Sequence, residues 1–322
     1  MYWAGWMQSS MWKEFTPEGQ LQYQFLETVQ SMRPFYMIRS LGGALFLVGA
    51  LIMVYNLIKT AKQGNFLAEE EAEAPALVKH VQIEGNEHWH RVIERKPIKM
   101  LILALVVVAI GGLIEMIPTF LVKENIPTIE AVKPYTPLEL EGRDIYIREG
   151  CYTCHSQMVR PFRSETERYG DYSKAGEFVY DHPFQWGSKR TGPDLAREGS
   201  DKLKRMDSWH YNHLMDPSFV SQGSIMPKYP WLFTTEIDFA GISAKMKAMK
   251  TLGVPYTDAD IAAGPDSARA QAQHIYEGLI PDMKQNQLLL SEDGLQPTHE
   301  GLALIAYLQR LGKDATSGTK TK

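Results

Sequence analysis

The sequence predicts a mainly α protein with two membrane-spanning helices and one domain held on the outer side of the membrane. Three observations predict it. Leu41–Ile58 is a run of eighteen uncharged, almost wholly apolar residues. Met100–Val122 is a second apolar run, broken only by Glu115. Two amphipathic stretches, Leu138–Glu149 and Gly301–Leu311, bracket most of the chain beyond the second run. About 20 apolar residues cross the ~30 Å hydrocarbon core as a helix. The first run reaches that length when extended back toward Pro34, the second unaided. Both are apolar around the whole helix rather than along one stripe. The first begins too late for the apolar region of a cleaved signal peptide.

Taken in order, residues 1–60 read as an outer loop and a first transmembrane helix, 61–99 as a linker and 100–122 as an anchor helix. A domain occupies 123–313, and 314–322 reads as a disordered tail. The segment between the helices, 59–99, carries Lys59, Lys62, Arg91, Arg95, Lys96 and Lys99 near its ends, which places the linker in the cytoplasm and the domain on the opposite face. Its acidic run Glu69–Glu73 fits a solvated connection, and His80, His88 and His90 read as exposed linker residues rather than a metal cluster. Gly42–Gly43 and Gly111–Gly112 either admit another helix closely or are ordinary membrane-helix glycines. Glu115 is an ionisable group in a span, three residues before Pro118, and is either functional or simply at the water boundary. Neither span contains a histidine, so this chain by itself offers no axial ligands for an intramembrane haem or copper centre. The net charge of −4 in 322 residues gives no field for nucleic acid.

The two cysteines are Cys151 and Cys154, with His155 directly after the second. A Cys-x-x-Cys pair can be a redox dithiol, half a zinc site, a disulfide or a haem attachment; an adjacent His selects the last. Cys151 and Cys154 would form thioethers to one covalent haem c, and His155 would ligate its iron. The helices on either side then read as the crossing first and last helices of a class I cytochrome c domain with insertions, with Gly142 and Tyr307 as the small and aromatic partners at the crossing. Candidate second ligands are Met158, Met206, Met215, Met226, Met246, Met249 and Met283, and His182, His210, His213, His274 and His299. Met226 is favoured because Gly223, Pro227 and Pro230 put it in a loop; Met246 and Met249 have the spacing of helix core residues. In TGPDL, Thr191–Leu195, the Pro193 carbonyl is placed to accept from the His155 ring, as the Gly-Pro-x-Leu stretch does in c-type cytochromes. Of Arg160, Arg163, Lys189 and Arg190, Arg190 is taken as a propionate partner, with solvated surface charge as the alternative.

The run from Arg148 to Leu195, REGCYTCHSQMVRPFRSETERYGDYSKAGEFVYDHPFQWGSKRTGPDL, is far longer than a haem motif. It resembles the mono-haem subunit of cbb3-type cytochrome c oxidases. SIMPKYPWLF resembles that family's distal-ligand loop, which strengthens Met226, and KMKAMKTLGVPYTDADI resembles its C-terminal part. GWMQSSMWKEF and the stretch from Leu26 to Asn56 instead resemble the last transmembrane helix of the catalytic subunit and the loop before it. The resemblance therefore implies the end of a catalytic subunit joined to a mono-haem subunit. Two departures stand out: a second anchor helix, and extra material over Asp266–His299.

The resemblance implies electron transfer through one covalent haem c, with no catalytic residue in this chain, to a catalytic haem–copper subunit that reduces oxygen and translocates protons. Haem b and copper would lie only in that partner. The donor would be a di-haem cytochrome c subunit or another cytochrome c. The expected location is the bacterial inner membrane, in contact with the lipid bilayer, with the haem domain periplasmic. A calcium ion at the subunit interface, with Ser188 as an oxygen donor, is a further implication. The rival readings are the electron-entry subunit of a nitric oxide reductase and an anchored haem sensor or assembly factor.

Overall fold

The computed structural model describes residues 2–63, 94, 96–121, 128–285 and 294–317. The chain forms two compact units, one of Met1–Ile38 with Pro127–Lys322 and the other of Arg39–Ile126. Among the described residues the regular structure is helical. The only β pairing among them is two isolated antiparallel bridges, Phe15 with Leu21 and Glu236 with His299.

The first unit opens with α1 (Tyr2–Lys13) and α2 (Phe25–Ser31). The start of α2 is fixed by Glu27, whose carboxylate accepts from the Gln24 backbone N–H at 2.8 Å. Trp12 of α1 stacks on Phe25 with ring centroids 6.2 Å apart. Thr28, Val29 and Met32 are buried, so this short segment has a packed side although it lacks length for a core of its own.

α3 (Arg33–Gln63) and α4 (Pro97–Leu121) are the two apolar helices. Arg33–Gln63 and Pro97–Pro118 are long and apolar enough to cross a membrane, and their apolar residues are not buried within the chain. Phe46 is 79% and Ile114 70% exposed. Such a surface is tolerable in lipid, where apolar side chains lose nothing by facing the solvent. At about 1.5 Å per residue α4 is roughly 37 Å long, enough for the hydrocarbon core. A side chain added at Gly42, Gly43, Gly111 or Gly112 would meet nothing within 4 Å, so among the described residues none of these marks a close helix approach. Of the linker, 64–93 and residue 95 lie outside the described residues, as do His80, His88 and His90.

The rest of the first unit is built on α5 (Pro137–Arg148) and later helices. α5 starts in a capping box: Thr136 Oγ1 accepts from the Glu139 N–H at 3.3 Å, and Glu139 accepts from the Thr136 N–H at 2.8 Å. Pro137 occupies the first helical position, where its missing N–H costs nothing. The later helices are α6 (Arg163–Tyr169), α7 (Asp207–Met215), α8 (Pro217–Val220), α9 (Ile242–Thr251), α10 (Asp258–Gln285), α11 (Glu300–Arg310) and α12 (Lys313–Ser317).

α5 crosses α11 at Gly142. A methyl group there would collide with the Ala303 carbonyl and stand 2.9 Å from Tyr307 Cβ. Leu138, Leu140, Ile145 and Tyr146 of α5 meet Leu302, Ala303, Ile305, Ala306 and Tyr307 of α11 in one buried cluster. Tyr146 and Tyr307 tilt against each other with centroids 5.5 Å apart. An ion pair ties the crossing down, Arg148 holding Glu300 at 2.7 Å, while the buried Arg143 of α5 holds Asp181 of the loop before Pro183 at 2.9 Å. Met246 and Met249 lie in the core.

Asp266–His299 is not peripheral. It lies largely in α10, which lays Ala268, Ala272 and Leu279 into the same core. The tail expected to be disordered from 314 begins instead as α12. Its Asp314 accepts from the Lys133 N–H at 2.8 Å and pairs with Arg310, so a charge contact holds it to the domain. Residues 318–322 lie outside the described residues.

Gly142→Ala should lower stability by about 1–3 kcal/mol, because backbone on the facing helix must move. Thermal unfolding of the purified protein, compared with Gly278→Ala, where nothing stands within 4 Å, measures it; an equal melting temperature in both variants would refute the close crossing.

Candidate haem-binding cleft

The end of α5 delivers the Cys-x-x-Cys-His motif. Gly150, with φ +71°, turns the chain out of α5 into a 3-10 turn over Cys151–Thr153. The His155 N–H then donates to the Cys151 carbonyl at 3.0 Å, which gathers both sulfurs and the imidazole on one short turn. The cysteines are not bonded to each other. Burial pushes the Cys151 thiol up to about 12. A redox dithiol activates its attacking sulfur by lowering its pKa, so this environment opposes that reading of the pair.

A second segment closes on the turn. The Gly192 N–H donates to the Cys154 carbonyl at 2.9 Å and the Leu195 N–H to the Ser156 carbonyl at 2.8 Å. Between these bonds the Pro193 carbonyl lies 2.8 Å from His155 Nδ1. A carbonyl only accepts, so Nδ1 carries the proton and Nε2 is left with a lone pair that could ligate a metal. Burial, ahead of every other cause, holds the His155 pKa below its ordinary value and keeps the ring neutral, the form a metal binds. Gly192 permits the approach: a methyl there would stand 2.6 Å from His155 Nδ1 and 2.7 Å from Nε2.

Asp194 locks this arrangement. It accepts from Ser156 Oγ at 2.7 Å, from the Met158 N–H at 2.9 Å and from the Ala196 N–H at 2.9 Å. Arg190 completes it, holding Asp194 at 3.2 Å and Glu165 at 2.6 Å and contacting Ser156. Arg160 shares Glu165 at 2.7 Å. Arg190 is thus committed to two carboxylates behind the proximal loop and does not line the cleft. Ser188 is exposed, and no grouping of three or more His, Cys, Asp or Glu suited to a metal ion occurs among the described residues.

The cleft in front of His155 has a volume of about 470 Å³, within the ~300–1,000 Å³ usual for cofactor pockets. Cys151, Cys154, His155 and Pro193 line it together with Met226, which stands in the loop after α8. Of the other candidate ligands, His213 also reaches the wall. It stacks on Trp209, centroids 4.5 Å apart, and burial lowers its pKa to about 4. Met158 and Met206 are surface-exposed, Met246 and Met249 are in the core, and the buried His299 accepts from the Gln296 N–H at 3.1 Å. The side chain of Met283 lies outside the described residues. Three further walls carried no sequence signal: Arg168 and Tyr169 of α6, Arg205 and Trp209 around the start of α7, and Gln24, Phe25, Leu26 and Val29 of the N-terminal segment. A neutral imidazole, two unbonded thiols and a thioether facing one apolar-walled cleft are the donor set that a covalently held haem requires, so the residues present fit the group.

Gly192→Ala should force the imidazole off the Pro193 carbonyl. The expected result is loss of at least half of the covalent haem, or a broadened, blue-shifted Soret band in what remains, read by haem-staining gel and absorption spectrum. Full loading with an unaltered spectrum would show that the close approach is not needed.

The profile of the family described as "Cytochrome C oxidase, mono-heme subunit/FixO" matches residues 90–315. Other relatives match the N-terminal part of the chain. Over 75 residues the chain is 49% identical to "Cytochrome c oxidase subunit 1 homolog, bacteroid" of Bradyrhizobium diazoefficiens, covering 23% of this chain and 13% of that protein. It is 45% identical over 64 residues to "Cytochrome c oxidase subunit 1" of Rhodobacter capsulatus, and 36% identical over 62 residues to "Cbb3-type cytochrome c oxidase subunit CcoN1" of Stutzerimonas stutzeri. These cover 20% and 19% of this chain and 12% and 13% of those proteins. The chain thus spans only about an eighth of the length of the curated relatives it matches. A subunit 1-like beginning therefore precedes a region in which more than two thirds of the chain fits one profile, and the chain belongs to the family of mono-haem subunits of cbb3-type cytochrome c oxidases.

Proposed function

We propose that this chain is the electron-transfer subunit of a cbb3-type haem–copper oxidase, accepting electrons one at a time and handing them to a catalytic subunit that reduces oxygen to water and translocates protons. The observation that carries the reading is the His155 site: two thiols and a neutral imidazole on one turn, with Nδ1 fixed by the Pro193 carbonyl at 2.8 Å. A c-type haem supplies a one-electron carrier when bound there. Cys151 and Cys154 would hold it through thioethers, His155 would ligate through Nε2, and Met226, which lines the same cleft, would supply the second ligand. The proton stays on His155 Nδ1, which donates it to the Pro193 carbonyl; that bond orients the ring and makes it a stronger donor. A His/Met pair raises the reduction potential, which suits delivery toward oxygen. No residue of this chain makes or breaks a bond in oxygen reduction; its contribution is positioning and potential.

The cytochrome region is read as a class I domain on the periplasmic face of a bacterial inner membrane, with the linker in the cytoplasm. Its partners are the catalytic haem–copper subunit and a di-haem or other cytochrome c donor. Support comes from the family membership, the two spans and the basic residues flanking the linker.

Protein purified in mild detergent should show a covalent c-haem together with b-type signals and oxygen consumption; a c-haem with no b-type signal in an intact complex would reduce the chain to an anchored carrier. Met226→Ala should lower the c-haem potential and produce a high-spin component in the absorption spectrum. An unchanged low-spin spectrum would remove Met226 and leave His213 as the ligand in that cleft.

A further inference from the structure

The arginines around the proximal loop are, with one exception, matched to carboxylates. Arg160 and Arg190 share Glu165, Arg163 faces Glu167 at 3.9 Å, Arg197 holds Glu177 at 2.6 Å and Arg205 faces Glu198 at 3.4 Å. The exception is Arg168. It is half-buried and lines the cleft, with no carboxylate within 4 Å among the described residues; its hydrogen bond is to the Tyr23 carbonyl, at 3.1 Å. A guanidinium taken out of water with no carboxylate in contact is costly, and burial outweighs the more distant pull of Glu165 and depresses its pKa. Arg190, which has two carboxylates, is shifted the other way. This cation sits on the wall of the cleft whose donor set fits a haem, a group that carries two carboxylates.

We infer that Arg168, held by the Tyr23 carbonyl of the N-terminal segment, is the counter-cation for a carboxylate of the group bound in the cleft, which under the function proposed for this chain is a haem propionate. A planar guanidinium suits this task because it can meet a carboxylate with two parallel N–H bonds. Arg190, the candidate read from sequence, is already saturated. The inference also gives the segment that resembles cytochrome c oxidase subunit 1 a part in the haem site: it supplies a wall through Gln24, Phe25, Leu26 and Val29, and it orients the cation.

The inference rests on the haem reading, and the experiment separates the two. The full chain is matured with haem c, purified in detergent and titrated potentiometrically, with a haem-staining gel run in parallel. Oxidised haem carries one more positive charge than reduced haem, so a nearby cation favours reduction. Arg168→Gln should keep the covalent haem and lower its midpoint potential. The expected shift is on the order of tenfold in the one-electron equilibrium constant, about 59 mV. Arg168→Lys, which keeps the charge but loses the two-pronged geometry, should give a smaller lowering and decides the matter if the Gln variant does not accumulate. Arg163→Gln is the control. Arg163 also binds the N-terminal segment, donating to the Gly19 carbonyl at 3.0 Å and stacking 4.5 Å over Phe15, but it does not line the cleft, so the potential should not change. An unchanged potential in both Arg168 variants overturns the inference and leaves the haem reading standing. An equal shift in Arg163→Gln overturns it too, because attachment of the segment, not the Arg168 charge, would then set the potential. A parent chain with no covalent haem overturns the inference and the reading beneath it together.

Discussion

Everything around the cleft depends on how closely α5 and α11 approach each other. Gly142 lets the two backbones touch where any side chain would hold them apart. Because the motif begins three residues after α5 ends, the crossing fixes where Cys151, Cys154 and His155 stand. α10 and α9 pack on the same pair, so residues far along the chain add apolar burial to a frame that one missing Cβ makes possible. Phe233 is set against Gly301 at the start of α11 in the same way, and it carries the loop after Met226 onto that frame.

The second layer of order is polar. Asp194 is nearly inaccessible, yet it gathers a hydroxyl, two backbone N–H groups and a guanidinium. A buried carboxylate is tolerated only when its acceptor sites are filled in this way. The result is a stiff connection between the segment that carries His155 and the segment whose Pro193 carbonyl orients its ring, and neither is part of a regular helix. Loops acquire precision here through saturated hydrogen bonding rather than through secondary structure.

Much of this is legible in the sequence, and the reasons differ from element to element. The two spans announce themselves because lipid demands long unbroken apolar runs. The α5–α11 crossing can be read from Gly142 and Tyr307 because a small residue facing an aromatic one is a local signature of close packing. The attachment motif is contiguous, so no folding has to be inferred to see it. Arg190 misleads because nearness in sequence says nothing about which carboxylates a guanidinium will meet; Glu165 lies twenty-five positions away along the chain. Arg168 and the N-terminal wall are invisible for the same reason, since their relation to the cleft exists only after distant segments have met. Asp266–His299 looks like an addition, and two of the residues it lays into the core, Ala268 and Ala272, are small enough to leave only a weak periodic trace. α12 is hidden by a composition that reads as solvated tail, and one aspartate is enough to fasten it.

The N-terminal segment and the haem-motif region form one compact unit although 39–126 separates them along the chain. Covalent continuity changes what their contact must achieve. Two separate polypeptides would have to meet by diffusion and lose translational freedom on docking. Here the two pieces belong to one chain, so their contact is intramolecular and escapes most of that loss. A few hydrogen bonds, such as those from Arg163 and Arg168 to backbone carbonyls, can then keep the interface closed at any dilution. Joining the two pieces in one chain thus makes their stoichiometry one to one by construction and makes formation of the cleft wall independent of how much of either piece a cell produces.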